Sequence, residues 1–201
     1  MDISASQVKE LREKTGVGIM DCKTALKECK GDIKQAIDFL RKKGIATSKK
    51  RGGRQTSEGL VQSYIHAGGK IGVLVEVNCE TDFSAKTDDF ANFSKDIAMQ
   101  IAATNPISVD REGIPSETLK KESEIYATQA KESGKPEKVI EKIVDGKMKK
   151  FYSEVSLLEQ AFVKDPDKSI MDLVNELMAK TGENVMINRF ARFQLGEADD
   201  S

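Results

Sequence analysis

Hydrophobic positions in the first 45 residues recur at helical spacing and are cut into three runs by glycines. Ser4 followed by Gln7 reads as a capping box, with Ile3 and Val8 placed to close a hydrophobic staple over it. Ala5, Val8 and Leu11 carry that face until Gly16 stops the helix. Cys22, Ala25, Leu26 and Cys29 repeat at i, i+3, i+4, i+7 and predict a second helix ending at Gly31. Asp32 with Gln35 caps a third, whose face is Ile33, Ala36, Ile37 and Leu40, ending near Gly44. Three short amphipathic helices this close bury their stripes against each other, so residues 1–45 form a small bundle.

Residues 46–57 lose the period. Arg41, Lys42, Lys43, Lys49, Lys50, Arg51 and Arg54 stand there and just before with no acidic neighbour, and Gly52-Gly53 follows. This reads as a helix end running into a basic, flexible linker. Beyond it the period becomes two. Ile71, Val73, Val75, Val77 and Cys79 alternate strictly, predicting a strand with one buried face. Leu60 to His66 is its partner across the Ala67-Gly68-Gly69 turn. A helix then begins near Thr87, carries Phe90, Phe93, Ile97 and Ile101, and ends before Pro106. Residues 58–115 thus make a core hairpin and helix.

From Ser116 the pattern is helical and heavily charged. Leu119, Tyr126 and Ala130 mark one stripe; Val139, Ile140, Ile143, Val144, Met148 and Phe151 mark the next. Ser133-Gly134-Lys135-Pro136 between them is a stop followed by a start, so residues 116–160 predict an antiparallel helical hairpin. Asp165-Pro166 breaks the chain. Ser169 and Asp172 cap a helix bearing Leu173, Val174, Leu177 and Met178, and Val185 to Leu195 alternates as a last strand. Residues 161–196 supply this core helix and strand, and 197–201 are an acidic tail. The class is α+β: a three-helix bundle, a linker, then a small antiparallel sheet packed with helices and interrupted by the helical hairpin.

Composition narrows the chemistry. Among 201 residues, 32 basic and 33 acidic side chains leave a net charge of −1, which gives no global attraction to nucleic acid. Three cysteines, an odd number, suit a reducing cytoplasm better than a disulfide framework. The longest apolar run, Ile71 to Val75, is far too short to span a membrane, and Met1-Asp2-Ile3-Ser4 lacks the basic and apolar regions of a signal peptide. One histidine and no tryptophan leave His66 without a spaced nucleophile, so it reads as a polar contact residue. Cys22 and Cys29 share a packed face at a spacing wrong for zinc. Neither Gly52-Gly53 nor Gly68-Gly69 has the lysine spacing of a phosphate loop, so no cofactor and no direct nucleotide binding are expected. The basic run 41–54 supports a different class of function, an RNA-binding ribosome accessory protein. Thr81-Asp82-Phe83 stands apart. Phe83 either folds back onto the core or stands out as an aromatic anchor for a partner's pocket, and periodicity does not separate the two.

The segments Leu11-Arg12-Glu13-Lys14-Thr15-Gly16-Val17-Gly18-Ile19-Met20-Asp21-Cys22-Lys23 and Val75-Glu76-Val77-Asn78-Cys79-Glu80-Thr81-Asp82-Phe83 resemble the elongation factor Ts family. Ser133-Gly134-Lys135-Pro136 and Gly146-Lys147-Met148-Lys149-Lys150-Phe151 do too, in the family's order, over about residues 3–196. The resemblance implies a guanine-nucleotide exchange factor, not an enzyme, that promotes GDP release from elongation factor Tu, its partner in the GDP-bound and nucleotide-free states. It implies a ubiquitin-associated-like N-terminal bundle docking through Leu11, Arg12, Ile19 and Met20, with Ile19 where the family commonly has Met. It also implies that Thr81, Asp82, Phe83 and Ser84 form the element entering near the partner's Mg²⁺ site; Ser84 stands where Val is frequent. The hairpin at His66 would touch a more distant partner domain. The chain resembles short members with one core half, which leaves open whether two copies pair as a homodimer within the complex to supply the second surface.

Overall fold

The computed structural model describes residues 3–132 and 136–197. Helices α1 (Ala5–Thr15), α2 (Ile19–Glu28) and α3 (Ile33–Arg51) form the expected bundle. The Ser4 and Gln7 side chains cap each other's backbone N–H groups, while Ile3 packs against the cluster that holds Val8. Gly16 ends α1 at φ +67, a left-handed conformation that costs glycine nothing. Asp32 caps α3 by accepting from the Gln35 backbone N–H (3.0 Å). Val8, Leu11, Cys22, Ala25, Leu26, Ala36 and Leu40 are the buried centre.

One expectation fails here: α3 does not end near Gly44 but continues to Arg51. Half of the segment read as a linker is therefore helix. The lysines are good helix formers, and a single internal glycine costs only about 1 kcal/mol. Two tertiary contacts offset that cost. Gly44 lies over Ala179, and Arg51 Nη1 donates to the Met178 carbonyl at 2.9 Å.

Strands β1 (Glu58–Ile65) and β2 (Ile71–Cys79) pair as the predicted hairpin, with His66 N–H donating to the Ile71 carbonyl (2.9 Å). With β5 (Val185–Gln194) they form a three-stranded antiparallel sheet in the order β1-β2-β5. Val73, Val75, Val77 and Cys79 are buried, as the alternation requires. At Gly59 (φ +145) the backbones approach so closely that a Cβ would lie 2.0 Å from the Val77 carbonyl oxygen.

Between β2 and β5 lie α4 (Asp82–Ala85), α5 (Asp88–Thr104), α6 (Ser116–Glu132) and α7 (Glu137–Val155). A short hairpin, β3 (Ala161–Phe162) and β4 (Asp165–Ser169), then leads into α8 (Ile170–Thr181). Helix α7 runs through Gly146, and Pro136 is its N-cap; residues 133–135 of the predicted turn and 198–201 of the tail lie outside the described residues. The β3–β4 hairpin replaces the predicted break at Asp165-Pro166. The buried Gln100 amide holds it, accepting from Val163 N–H (2.9 Å) and donating to the Ala161 carbonyl (3.1 Å). No local pattern marks that amide in advance.

The chain divides into two compact units. The first takes Met1–Leu60, Val77–Phe93 and Asp172–Met186, and the second takes Val61–Glu76, Ser94–Met171 and Ile187–Ser201. The bundle and Thr81-Asp82-Phe83 both belong to the first; His66 and the helical hairpin belong to the second.

Candidate functional site

Beyond Cys79 the chain leaves the sheet and makes one helical turn. Thr81 is extended at its N-cap, and its Oγ1 accepts from Ser84 N–H (3.3 Å). At the far end, Thr87 Oγ1 donates to the Ser84 carbonyl (2.8 Å) and accepts from Phe90 N–H (3.3 Å), so one threonine both closes α4 and opens α5. Ser84 and Ala85 face inward and are buried. Phe83, on the other side of the turn, is 80% exposed. Of its two sequence readings, the fold-back onto the core is excluded by this orientation.

The charges around the turn are ordered. Asp82 pairs with Lys86 Nζ at 2.5 Å, and that hydrogen bond holds its carboxyl below the usual carboxylate range. Cys79 is buried and donates from Sγ to the Thr81 carbonyl (3.1 Å); burial pushes its thiol pKa up. Ser84 differs from its neighbours in the motif. Its hydroxyl is buried with no hydrogen-bond partner among the described residues, so it faces the protein and not a partner.

Four residues that local sequence reasoning missed hold this turn from behind. The Glu183 carboxylate accepts from the backbone N–H groups of Glu80 (3.2 Å) and Thr81 (3.1 Å) and from Thr81 Oγ1 (2.6 Å). The Glu80 carboxylate accepts from Asn184 N–H (2.6 Å) and Arg54 Nη1 (3.3 Å). Its pKa is lowered, first by the Asn184 amide and then by Arg54. Asn184 Nδ2 in turn donates to the Arg54 carbonyl (2.9 Å). Gly182 as a helix stop is the one local signal near Glu183, and it says nothing of a partner 102 positions away.

The bundle residues separate into two kinds. Ile19 and Met20 are 52% and 72% exposed at the start of α2, and Arg12 is exposed on α1. Arg12 and Ile19 line a groove of about 400 Å³ together with Ile3, Ala5, Val8, Lys9 and Lys23. Leu11 is fully buried in the bundle centre. It supports this face and does not line it, because the stripe that closes the bundle needs its side chain.

His66 is exposed at the β1–β2 turn, where Nδ1 lies 3.0 Å from the Tyr64 hydroxyl. Four side chains of the basic run have partners within the protein. Arg41 pairs with Asp172 (3.0 Å), Lys43 with Asp21 (2.8 Å), Arg51 with the Met178 carbonyl and Arg54 with Glu80. Among the described residues, no group of three or more His, Cys, Asp or Glu is placed to hold a metal ion, and no helix is long and apolar enough to cross a membrane.

The sequence that builds these elements is that of a class of translation elongation factors. A family model described as Elongation factor TS matches residues 5–197. The elongation factor Ts of Desulfosudis oleivorans is 62% identical over 195 residues, covering 97% of this chain and 98% of that protein. That of Syntrophobacter fumaroxidans is 58% identical over 98% of both chains. That of Geobacter sulfurreducens is 59% identical over 98% of this chain and 91% of its own. The chain belongs to the elongation factor Ts family. Its place is in protein biosynthesis, as a nucleotide-exchange factor of translation elongation.

Proposed function

We propose that the chain docks through its bundle on the nucleotide-binding domain of elongation factor Tu, and that Thr81, Asp82 and Phe83 then disturb the partner's Mg²⁺ site so that GDP leaves. The observation that carries this reading is Phe83, 80% exposed on a turn fixed at both ends. Such exposure of a large aromatic is unfavourable in the free protein and is relieved when a partner pocket covers it. Arg12, Ile19 and Met20 provide the first contact, an apolar face with a basic rim suited to an acidic, amphipathic partner helix. Asp82 brings negative charge to a site that holds a cation, and Ser84 contributes by capping the turn, its backbone N–H donating to Thr81 Oγ1.

The physical scheme is reciprocal linkage. Factor and GDP–Mg²⁺ each weaken the other's binding by the same free energy. A preference of ~4 kcal/mol for the loosened nucleotide state lowers GDP affinity about a thousandfold. The factor forms and breaks no covalent bond in this cycle. The RNA-binding reading is the weaker one, because Arg41, Lys43, Arg51 and Arg54 already have partners inside the protein.

The test is stopped-flow release of fluorescent GDP from elongation factor Tu at saturating factor. Phe83→Ala should melt within a few degrees of the parent yet slow release about thirtyfold, the equivalent of the ~2 kcal/mol of an anchor residue. Unchanged release, or a loss that only tracks the folded fraction, overturns the proposal.

A further inference from the structure

We infer that Glu183 is the positioning residue that aims Phe83, an inference that rests on the exchange role just proposed for that side chain. Helix α4 has four residues, Asp82–Ala85. A single turn fixes several dihedrals for one hydrogen bond and does not hold its shape alone. Its direction is therefore imposed from outside, and the group placed to do so is the Glu183 carboxylate.

Two features make the clamp directional. The Thr81 hydroxyl has one proton. It donates that proton to Glu183 Oε1 at 2.6 Å, which leaves a lone pair facing Ser84 N–H for the N-cap bond at 3.3 Å. The other carboxylate oxygen accepts both backbone N–H groups at the point where β2 has ended, from Glu80 at 3.2 Å and Thr81 at 3.1 Å. Hydrogen bonds to an ionised acceptor are about twice as strong as neutral ones, and several on one carboxylate fix orientation as well as position.

Glu183 is itself held. Its N–H donates to Thr181 Oγ1 (3.3 Å), and that hydroxyl donates to the Leu177 carbonyl (3.0 Å). Gly182 N–H closes α8 on the Met178 carbonyl (3.0 Å), and the next residue, Asn184, is 4% exposed and bonded to Glu80 and Arg54. The end of α8 therefore fixes the clamp, the clamp fixes Thr81, and Thr81 fixes the turn that presents Phe83.

The experiment is a double-mutant cycle between Glu183→Ala and Phe83→Ala, read as GDP release at saturating factor and as the half-saturating factor concentration. Hydrogen exchange of the Thr81–Ala85 amides in the free proteins is measured alongside. Glu183→Ala should speed exchange at those amides, slow release about tenfold, as expected for a reacting or anchoring group misplaced by under an ångström, and leave half-saturation within about threefold. In the Phe83→Ala background it should slow release no further. Glu183→Gln keeps the shape but offers Thr81 an amide N–H₂ or a weaker neutral acceptor, and should fall between. An equal loss in both backgrounds, or unaltered amide exchange around α4, overturns the inference. If Phe83→Ala alone leaves release unchanged, the exchange role of Phe83 fails, while the amide measurement still decides whether Glu183 orders the turn.

Discussion

Substituting Ala46 by proline separates a helical α3 from a flexible tether. Ala46 lies in α3, five positions before its last residue, Arg51. Proline there removes the N–H that bonds the carbonyl four residues earlier, and its ring collides with that same carbonyl, a cost of about 3 kcal/mol or more. The chain has one cheaper route, which is to unravel the helix beyond residue 45. That route gives up the Arg51 bond to the Met178 carbonyl, a charged hydrogen bond worth about 1.5–3 kcal/mol, and loosens the Arg54 contacts to Glu80 and Asn184. The cheaper route sets the loss, at about 2–3 kcal/mol. For a chain of this size each kcal/mol moves the melting temperature by about 2–4 °C, so Ala46→Pro should lower it by about 5–10 °C. The control is Gln55→Pro, in the exposed, irregular stretch before β1, where the change should be under about 2 °C. Circular dichroism melts of both variants beside the parent make the comparison. GDP release should also slow for Ala46→Pro, because α3 delivers Arg54 to the network behind Thr81. Equal melting of the two proline variants and the parent would refute the reasoning and return residues 46–51 to a tether.

The same separation applies to the bundle face. Leu11→Ala should cost about 2–5 kcal/mol of stability as a core truncation. Met20→Ala should leave the melt unchanged and weaken binding to elongation factor Tu about tenfold by calorimetry, a modest anchor loss; the opposite assignment of the two effects would exclude the docking face. Glu80 gives a pH signature. Its folded pKa is depressed by the Asn184 amide and Arg54, so its contribution is complete above the ordinary glutamate value of about 4.3 and is lost as pH falls through the lower folded value. The gap in melting temperature between the parent and Glu80→Gln should therefore be open at pH 6 and narrow as pH falls below the ordinary glutamate value, and a gap independent of pH would mean that the Glu80 charge contributes nothing.

By itself the sequence determined the elements whose signals lie within a turn or two of the chain. The Ser4–Gln7 and Asp32–Gln35 caps, the glycine stop after α1, the alternation of Val73, Val75, Val77 and Cys79 and the helical face of Phe90 and Ile97 are each written in neighbours no more than four or so positions apart, and backbone periodicity converts such spacing directly into a buried face. The motif around Phe83 was also legible, through the family its residues resemble. Tertiary structure decided the rest. Whether Phe83 faces inward or outward depended on which side of α4 Ser84 and Ala85 bury, and four residues carry no period to read. Whether α3 stopped at Gly44 depended on Met178 and Ala179, more than a hundred positions away. The same holds for Glu183 and Thr81, and for Gln100 and the β3–β4 hairpin. A hydrogen bond between distant residues leaves no local trace, because either partner alone is compatible with solvent, and only the packed chain removes the water that would otherwise take its place.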